Sequence, residues 1–316
     1  MSEFLCTIYR SPELSYITHT YPHVVKILAL EILLRLNLHI THTHTHTNFH
    51  SLFHLTLKTE KNSAMSDEHF LKGKTAIVTG GSGTIGKAIA KGLLLHGCNV
   101  FITGRNQARL ASAAAELTVE GANYGKMHTF SGDVCNEQDV VHLFDAAIDA
   151  YSGVDLLVNN AGTAIPGKTI ETSAADFNKV MEVNVTGPFV CAKEAMRRMK
   201  DRGNGGRIIN MGSISAYSPR PDGASYTASK FALMGLSHSL SLDCRQYGIA
   251  VGIIHPGNVV SNLLAPEIFA EREASEGFMN AEDVASCVIA MAQLNYHANV
   301  LEMTVTPIRQ PLVGRG

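Results

Sequence analysis

Thr75-Ala76-Ile77-Val78-Thr79-Gly80-Gly81-Ser82-Gly83-Thr84-Ile85-Gly86 decides the fold. An apolar strand over 75–78 runs into a glycine cluster, and an amphipathic helical pattern follows over 85–96. Glycine suits such a crossing because the backbone must turn tightly and let a ligand approach closely. The first amides of the helix then face that ligand, where free N–H groups and the helix dipole favour an anion. A glycine cluster alone is often a plain turn. With a strand before it and a helix after it, the segment points to the pyrophosphate of a dinucleotide, cradled by Gly80, Ser82, Gly83, Thr84, Ile85 and Gly86.

The alternation continues downstream. Strand-like segments at 99–103, 127–130, 156–158, 207–211, 250–254 and 300–305 are separated by helix-like ones at 107–117, 137–151, 174–200, 226–245 and 281–292. Short apolar strands between helices of this length predict an α/β fold: a doubly wound, Rossmann-like parallel sheet in one domain over residues 71–316. Right-handed crossovers place ligands outside the carboxyl ends of its strands.

Composition changes near residue 65. Eight of the fifteen histidines precede it, including the run His42-Thr43-His44-Thr45-His46-Thr47. Residues 1–70 therefore read as a His-rich N-terminal extension. It is either a solvated, disordered tract or upstream sequence translated ahead of a start at Met65, since a CA-dinucleotide repeat encodes His-Thr. An extended His-x-His-x-His run also allows weak metal binding, but no residue is assigned as a metal ligand.

Hydrophobic residues make up 45% and charged residues 17%, a balance that buries a sizeable core. A formal net charge of -2 lacks the basic excess that a phosphate backbone requires, so no nucleic-acid partner is expected. Cys6, Cys98, Cys135, Cys191, Cys244 and Cys287 include no Cys-x-x-Cys pair and read as free thiols in a reducing compartment. The most apolar run, 24–40, is short and interrupted by Lys26, Glu31 and Arg35, so no membrane span is expected. A soluble, cytoplasmic protein is the expectation.

At the end of the second strand, where a carboxylate would clasp an adenosine 2′-hydroxyl, stand Gly104-Arg105-Asn106. Arg105 can pair with a 2′-phosphate through two N–H donors, which favours NADP(H) while leaving NAD(H) open. Its other reading is a surface arginine at the start of a helix. Tyr226-Thr227-Ala228-Ser229-Lys230 places a phenol and an ammonium four residues apart on one helix face. A cation there is expected to lower the phenol pKa toward a value useful for proton transfer. Ser213 follows the fifth strand, and Asn159-Asn160-Ala161-Gly162 ends the fourth in the same manner. Asn184 sits within the long 174–200 helix, where an amide needs a partner. His255 either lines the site or is a satisfied structural histidine.

This set resembles the short-chain dehydrogenase/reductase family. The resemblance runs through the glycine loop, Asp133-Val134, Asn159-Asn160-Ala161-Gly162, Asn184, Ser213, Tyr226, Lys230 and Pro256-Gly257. It implies a hydride-transferring oxidoreductase with a small carbonyl or alcohol substrate, in a homodimer or homotetramer. Tyr226 would be the general acid/base, Lys230 would bond the nicotinamide ribose, and Ser213 would polarise the substrate oxygen. Asn184 would hold a water in a relay reaching Lys230. Asp133 and Val134 would contact adenine, Asn160 would help to shape the floor beside the cofactor, Val259 and Ser261 would bind the nicotinamide carboxamide, and Ala161, Gly162, Pro256 and Gly257 would also belong to the cofactor site. Thr84 departs from the family's middle glycine, so the loop must adopt a conformation that threonine permits. Substrate choice is expected to lie in 163–166, 214–221 and 262–279. There Leu263, Leu264, Ile268 and Phe269 either meet a hydrophobic substrate or pack on the core. A non-catalytic dinucleotide-binding regulator is the competing reading.

Overall fold

The computed structural model describes residues 70–118, 124–260, 266–295 and 297–312. The extension over 1–70, save its last residue, and Ser261 lie outside the described residues. Seven parallel strands form one sheet in the order β3-β2-β1-β4-β5-β6-β7. They are β1 Thr75–Thr79, β2 Asn99–Gly104, β3 Met127–Ser131, β4 Leu156–Asn159, β5 Gly206–Met211, β6 Ile249–Pro256 and β7 Glu302–Val305.

Consecutive strands first add outward from β1 through β2 to β3. The chain then returns to place β4 on the other side of β1, in register Ala76 to Leu156 and Val78 to Val158. That reversal parts the loops after β1 and β4 and opens a crevice at their carboxyl ends.

The helices cover both faces. They are α1 Thr84–Leu95, α2 Gln107–Leu117, α3 Glu137–Tyr151, α4 Ala174–Met181, α5 Gly187–Arg202, α6 Ala224–Arg245, α7 Pro266–Ser275 and α8 Ala281–Ala292. Side chains alternate across a strand, so β1 sends Ala76 and Val78 to one apolar cluster and Ile77 to the other. The first cluster is closed by α1, α2 and α8, the second by α3, α5 and α6.

Two segments differ from the sequence expectation. The predicted 174–200 helix is interrupted by a π-turn at Glu182–Thr186, between α4 and α5. Pro188, in the first turn of α5, has no N–H for an interior helical bond, and the wide turn absorbs that break. The stretch 262–279, to which that expectation gave no helix or strand, contains α7.

Phe144 on α3 is fully buried with Ile77 and Leu157 in the second cluster. Phe144→Ala should lower the unfolding free energy by about 3–5 kcal/mol in denaturant titration, through lost burial and the cavity left behind.

Candidate active site

The crevice beside β1 is a cleft of about 620 Å³. Its walls include Gly80, Ser82, Gly83, Thr84, Ile85 and Gly86 from the first loop, and Arg105 beyond β2. Asp133 and Val134 beyond β3, Asn160, Ala161 and Gly162 beyond β4, and Val259 line it as well, whereas Tyr226, Lys230, Pro256 and Gly257 are not among its walls. A cross-tie fixes its floor. Thr79 Oγ1 accepts from the amides of Asn160 and Ala161, each at 3.0 Å, while Asn160 Nδ2 donates to the carbonyls of Thr79 at 2.9 Å and Gly80 at 3.2 Å.

The residues present fit a dinucleotide. A Cβ on Gly86 would collide with the Gly80 carbonyl and stand 2.8 Å from Asn160 Nδ2, so only glycine allows this closeness. Gly80 takes the left-handed φ of +63° that the turn requires. No side chain caps α1, and no acidic residue lies in its first turn, which leaves its amides to an anion. Thr84 causes no strain, because it is the first helical residue after the extended N-cap Gly83 (φ −81°).

The other constellation lies at the ends of β5 and α6. Ser213 hydrogen-bonds Tyr226 through its side chain, and its Oγ also accepts from the Ser215 amide at 3.1 Å. Lys230 Nζ lies 5.4 Å from the Tyr226 ring centroid and donates to the Met211 carbonyl at 2.8 Å. Gly162 joins this group to the cleft: the point its Cβ would occupy is 3.9 Å from Lys230 Nζ and 3.4 Å from Asn184 Oδ1.

Asn184, in the π-turn, has the partners that a buried amide needs. Its Oδ1 accepts from the Thr163 amide at 2.8 Å, and its Nδ2 donates to the Thr163 carbonyl and Ser229 Oγ, both at 2.9 Å. The side chain is thus a strut between the loop after β4 and α6, with no direct bond to Lys230.

The expected lowering of the Tyr226 pKa by Lys230 is not what these residues produce. Burial raises the phenol, and the Ser213 hydrogen bond is what opposes it. Lys230 shares the same desolvated site, which pushes its ammonium down to about 8.

The family described as short chain dehydrogenase matches residues 74–271, more than half of the chain. The chain belongs to the short-chain dehydrogenase/reductase family. Dehydrogenase/reductase SDR family member 11 of Homo sapiens is 31% identical over 249 residues, 75% of this chain and 95% of that one. The NADP-dependent (R)-specific alcohol dehydrogenase of Lentilactobacillus kefiri is 36% identical over 209 residues, 64% of this chain and 81% of that one. Among solved structures, a short-chain type dehydrogenase/reductase from Mycobacterium marinum is similar, with a TM-score of 0.70 and 26% identity. That match covers 75% of this chain and 95% of the other. This short-chain dehydrogenase/reductase is accordingly an NAD(P)-dependent oxidoreductase acting on alcohol or carbonyl groups of small molecules. Among the described residues, no helix is long and apolar enough to cross a membrane.

Several placements were not read from sequence. Arg109, in the first turn of α2 after its N-cap Asn106, also lines the cleft. Lys87 lines it too but is paired with Glu116 at 2.6 Å. Gly257 faces the C-terminal tail instead, where a Cβ would collide with Gln310 Oε1. Phe269 stacks on Phe278 with centroids 4.6 Å apart, and both rings are half-buried. Leu263, Leu264 and the Ile268 side chain lie outside the described residues.

The base of the 261–276 segment is stitched shut. Val259 bridges Met279, and the Val260 amide donates to the Met279 carbonyl at 2.9 Å. Glu276 Oε2 accepts from Arg220 Nη2 at 2.5 Å, Asn258 Nδ2 at 2.8 Å and Gln310 Nε2 at 2.9 Å. Burial works against its charge, yet the guanidinium and the two amides hold the carboxyl down to about 2.

The lysine carries a measurable consequence. Below about pH 8 both folded and unfolded chains hold the Lys230 proton, so the folded state bears the full cost of a buried cation. Between about 8 and 10.5 the folded lysine loses its proton first, and that cost fades. Denaturant titrations across this window should show the native protein gaining stability relative to Lys230→Met as pH rises. A difference independent of pH would contradict the assignment.

Proposed function

We propose that this enzyme interconverts a carbonyl and its alcohol with NADP(H), using Tyr226 as the group that gives or takes the proton. The observation carrying this reading is the gathering of Ser213, Tyr226 and Lys230, with Lys230 beside Gly162 in the wall of a cleft whose glycine cradle fits a pyrophosphate. When bound, the dinucleotide supplies or accepts the hydride; the remaining work belongs to the chain.

Ser213 Oγ orients the substrate oxygen toward Tyr226. In reduction Tyr226 Oη delivers its proton to that oxygen, and in oxidation it removes it. Lys230, as an ammonium, stabilises the phenolate left behind and holds the ribose of the dinucleotide. Asn184 braces Thr163 and Ser229 beside them and supports a proton path through water toward Lys230. At the other end Asp133 and Val134 border the adenine, with Asn160, Ala161 and Gly162 beneath the dinucleotide. Val259 and Ser261 are assigned to the nicotinamide carboxamide, and Pro256 and Gly257 to the cofactor site, Gly257 through its packing against Gln310.

Arg105 and Arg109 at the adenosine end support a preference for the 2′-phosphate. The name of the Lentilactobacillus relative, which specifies NADP, supports it too. Exposed Phe189 on α5, with Phe231 and Leu242 on α6, supports pairing of subunits through those helices. The described cysteines are unpaired, in keeping with a cytosolic location. Catalysis is assigned to 71–316, with 1–70 as an appended extension.

A panel of aldehydes, ketones and alcohols, assayed with both dinucleotides, tests the reading. Tyr226→Phe should lose at least about 100-fold in turnover while binding the dinucleotide within about twofold of native. Turnover at the native rate would reject Tyr226. Arg105→Leu should raise the KM for NADP(H) about tenfold or more and leave that for NAD(H) nearly unchanged. A native enzyme that prefers NAD(H) would overturn the cofactor choice.

A further inference from the structure

His255, one residue before the end of β6, is fully buried at 0% exposure. Its ring is pressed onto the Gly212–Ser213 backbone: a Cβ on Gly212 would stand 2.6 Å from Nδ1 and 2.8 Å from Cε1. Nδ1 lies 2.9 Å from the Ser213 carbonyl oxygen and 3.3 Å from the Ser213 amide nitrogen. At the opposite edge, Nε2 is enclosed, lacks a well-aligned hydrogen bond, and lies 3.3 Å from Glu302 Oε1 on β7.

Every neighbouring ionisable group bears on this ring. Tyr217, in the segment after β5, donates its hydroxyl to the same Glu302 oxygen at 2.6 Å and sets its ring 4.7 Å from that of His255. His238 on α6 brings Nε2 to 3.7 Å from Glu302 Oε1, and Lys230, also on α6, repels a charged imidazole. Burial pushes the His255 pKa below its ordinary value, against the opposing pull of the Ser213 backbone and Glu302.

One ring nitrogen thus faces both the donor and the acceptor of a single residue, and its proton decides which it holds. Bare Nδ1 accepts from the Ser213 amide; protonated Nδ1 donates to the Ser213 carbonyl. A neutral ring has one proton to place. The negative charge of Glu302 favours it on Nε2, which leaves Nδ1 bare.

We propose that His255 is a positioning residue for Ser213: Glu302 keeps its proton on Nε2, bare Nδ1 grips the Ser213 amide, and protonation of Nδ1 shifts that grip to the carbonyl and misaligns the serine. The role rests on the assignment of Ser213 to the substrate oxygen. It makes Tyr217, Glu302 and His255 a chain from the surface to the reacting group, and it adds a proton-linked loss of turnover on the acid side.

The test uses the full chain. Two-bond proton–nitrogen correlation spectra with labelled histidine, recorded near neutrality, should show His255 as the Nε2–H tautomer. The Nδ1–H tautomer would overturn the proposal. Glu302→Gln, at a side chain 35% exposed, keeps the shape and removes the charge. Since that charge raises the His255 pKa, its loss should move the acid limb of kcat to lower pH by roughly half a unit or more, with the KM for dinucleotide within about twofold of native. An unmoved acid limb in an active Glu302→Gln enzyme would also overturn it. Ser213→Ala separates the two failures. Native turnover in that variant removes the serine's catalytic role and the positioning role with it, whereas an inactive Ser213→Ala alongside an Nδ1–H spectrum sinks the positioning role alone.

Discussion

The reversal of strand order between β1 and β4 is the constraint on which the site depends. Parallel strands all deliver their carboxyl ends to one edge, but only at the reversal do neighbouring loops turn away from each other. An open seam between two central strands would expose carbonyls and amides unless something satisfied them. Thr79 and Asn160 do this, with one hydroxyl and one carboxamide spanning the gap. The glycines of the first loop complete the arrangement by removing side-chain atoms from where a ligand must lie against the backbone.

The chemistry at the far end of the crevice uses the opposite strategy. There the protein gathers a serine, a tyrosine and a lysine in a place where water is scarce and charge is disfavoured. Low dielectric raises the phenol and lowers the ammonium, bringing two groups with similar ordinary pKa values onto opposite sides of their usual range. A buried amine of this kind is a liability for folding and an asset for proton transfer, the trade expected at active sites.

Much of this was legible in the sequence because it depends on local pattern. Short apolar runs between helical segments locate the strands, and the ends of parallel strands locate the site, so residues far apart in the chain could be assigned to one crevice. What escaped the reading depends on tertiary geometry. The π-turn at 182–186 is flanked by Met181 and Gly187, both with right-handed helical backbone angles, so no turn residue in the sequence marks it. Thr84 looked like a strained substitution until its place one residue inside the helix was known. Arg109 needed the start of α2 to be located to within a residue. The Glu276 cluster joins Arg220, Asn258 and Gln310 from three separate segments, and no spacing in the sequence announces such a meeting. The proton-transfer pair was recognised from its four-residue spacing, but the direction of the phenol's shift was not, since burial outweighs the Ser213 hydrogen bond that opposes it.

The stitched base between 258–260 and 277–279 has an evolutionary consequence. When both ends of an excursion are pinned to the scaffold, its interior can change length with little effect on the remainder. Each doubling adds only about 0.6 kcal/mol of closure entropy. Descendants of this protein could therefore acquire new molecules to act on by rewriting the excursion alone, while inheriting the nucleotide cradle intact.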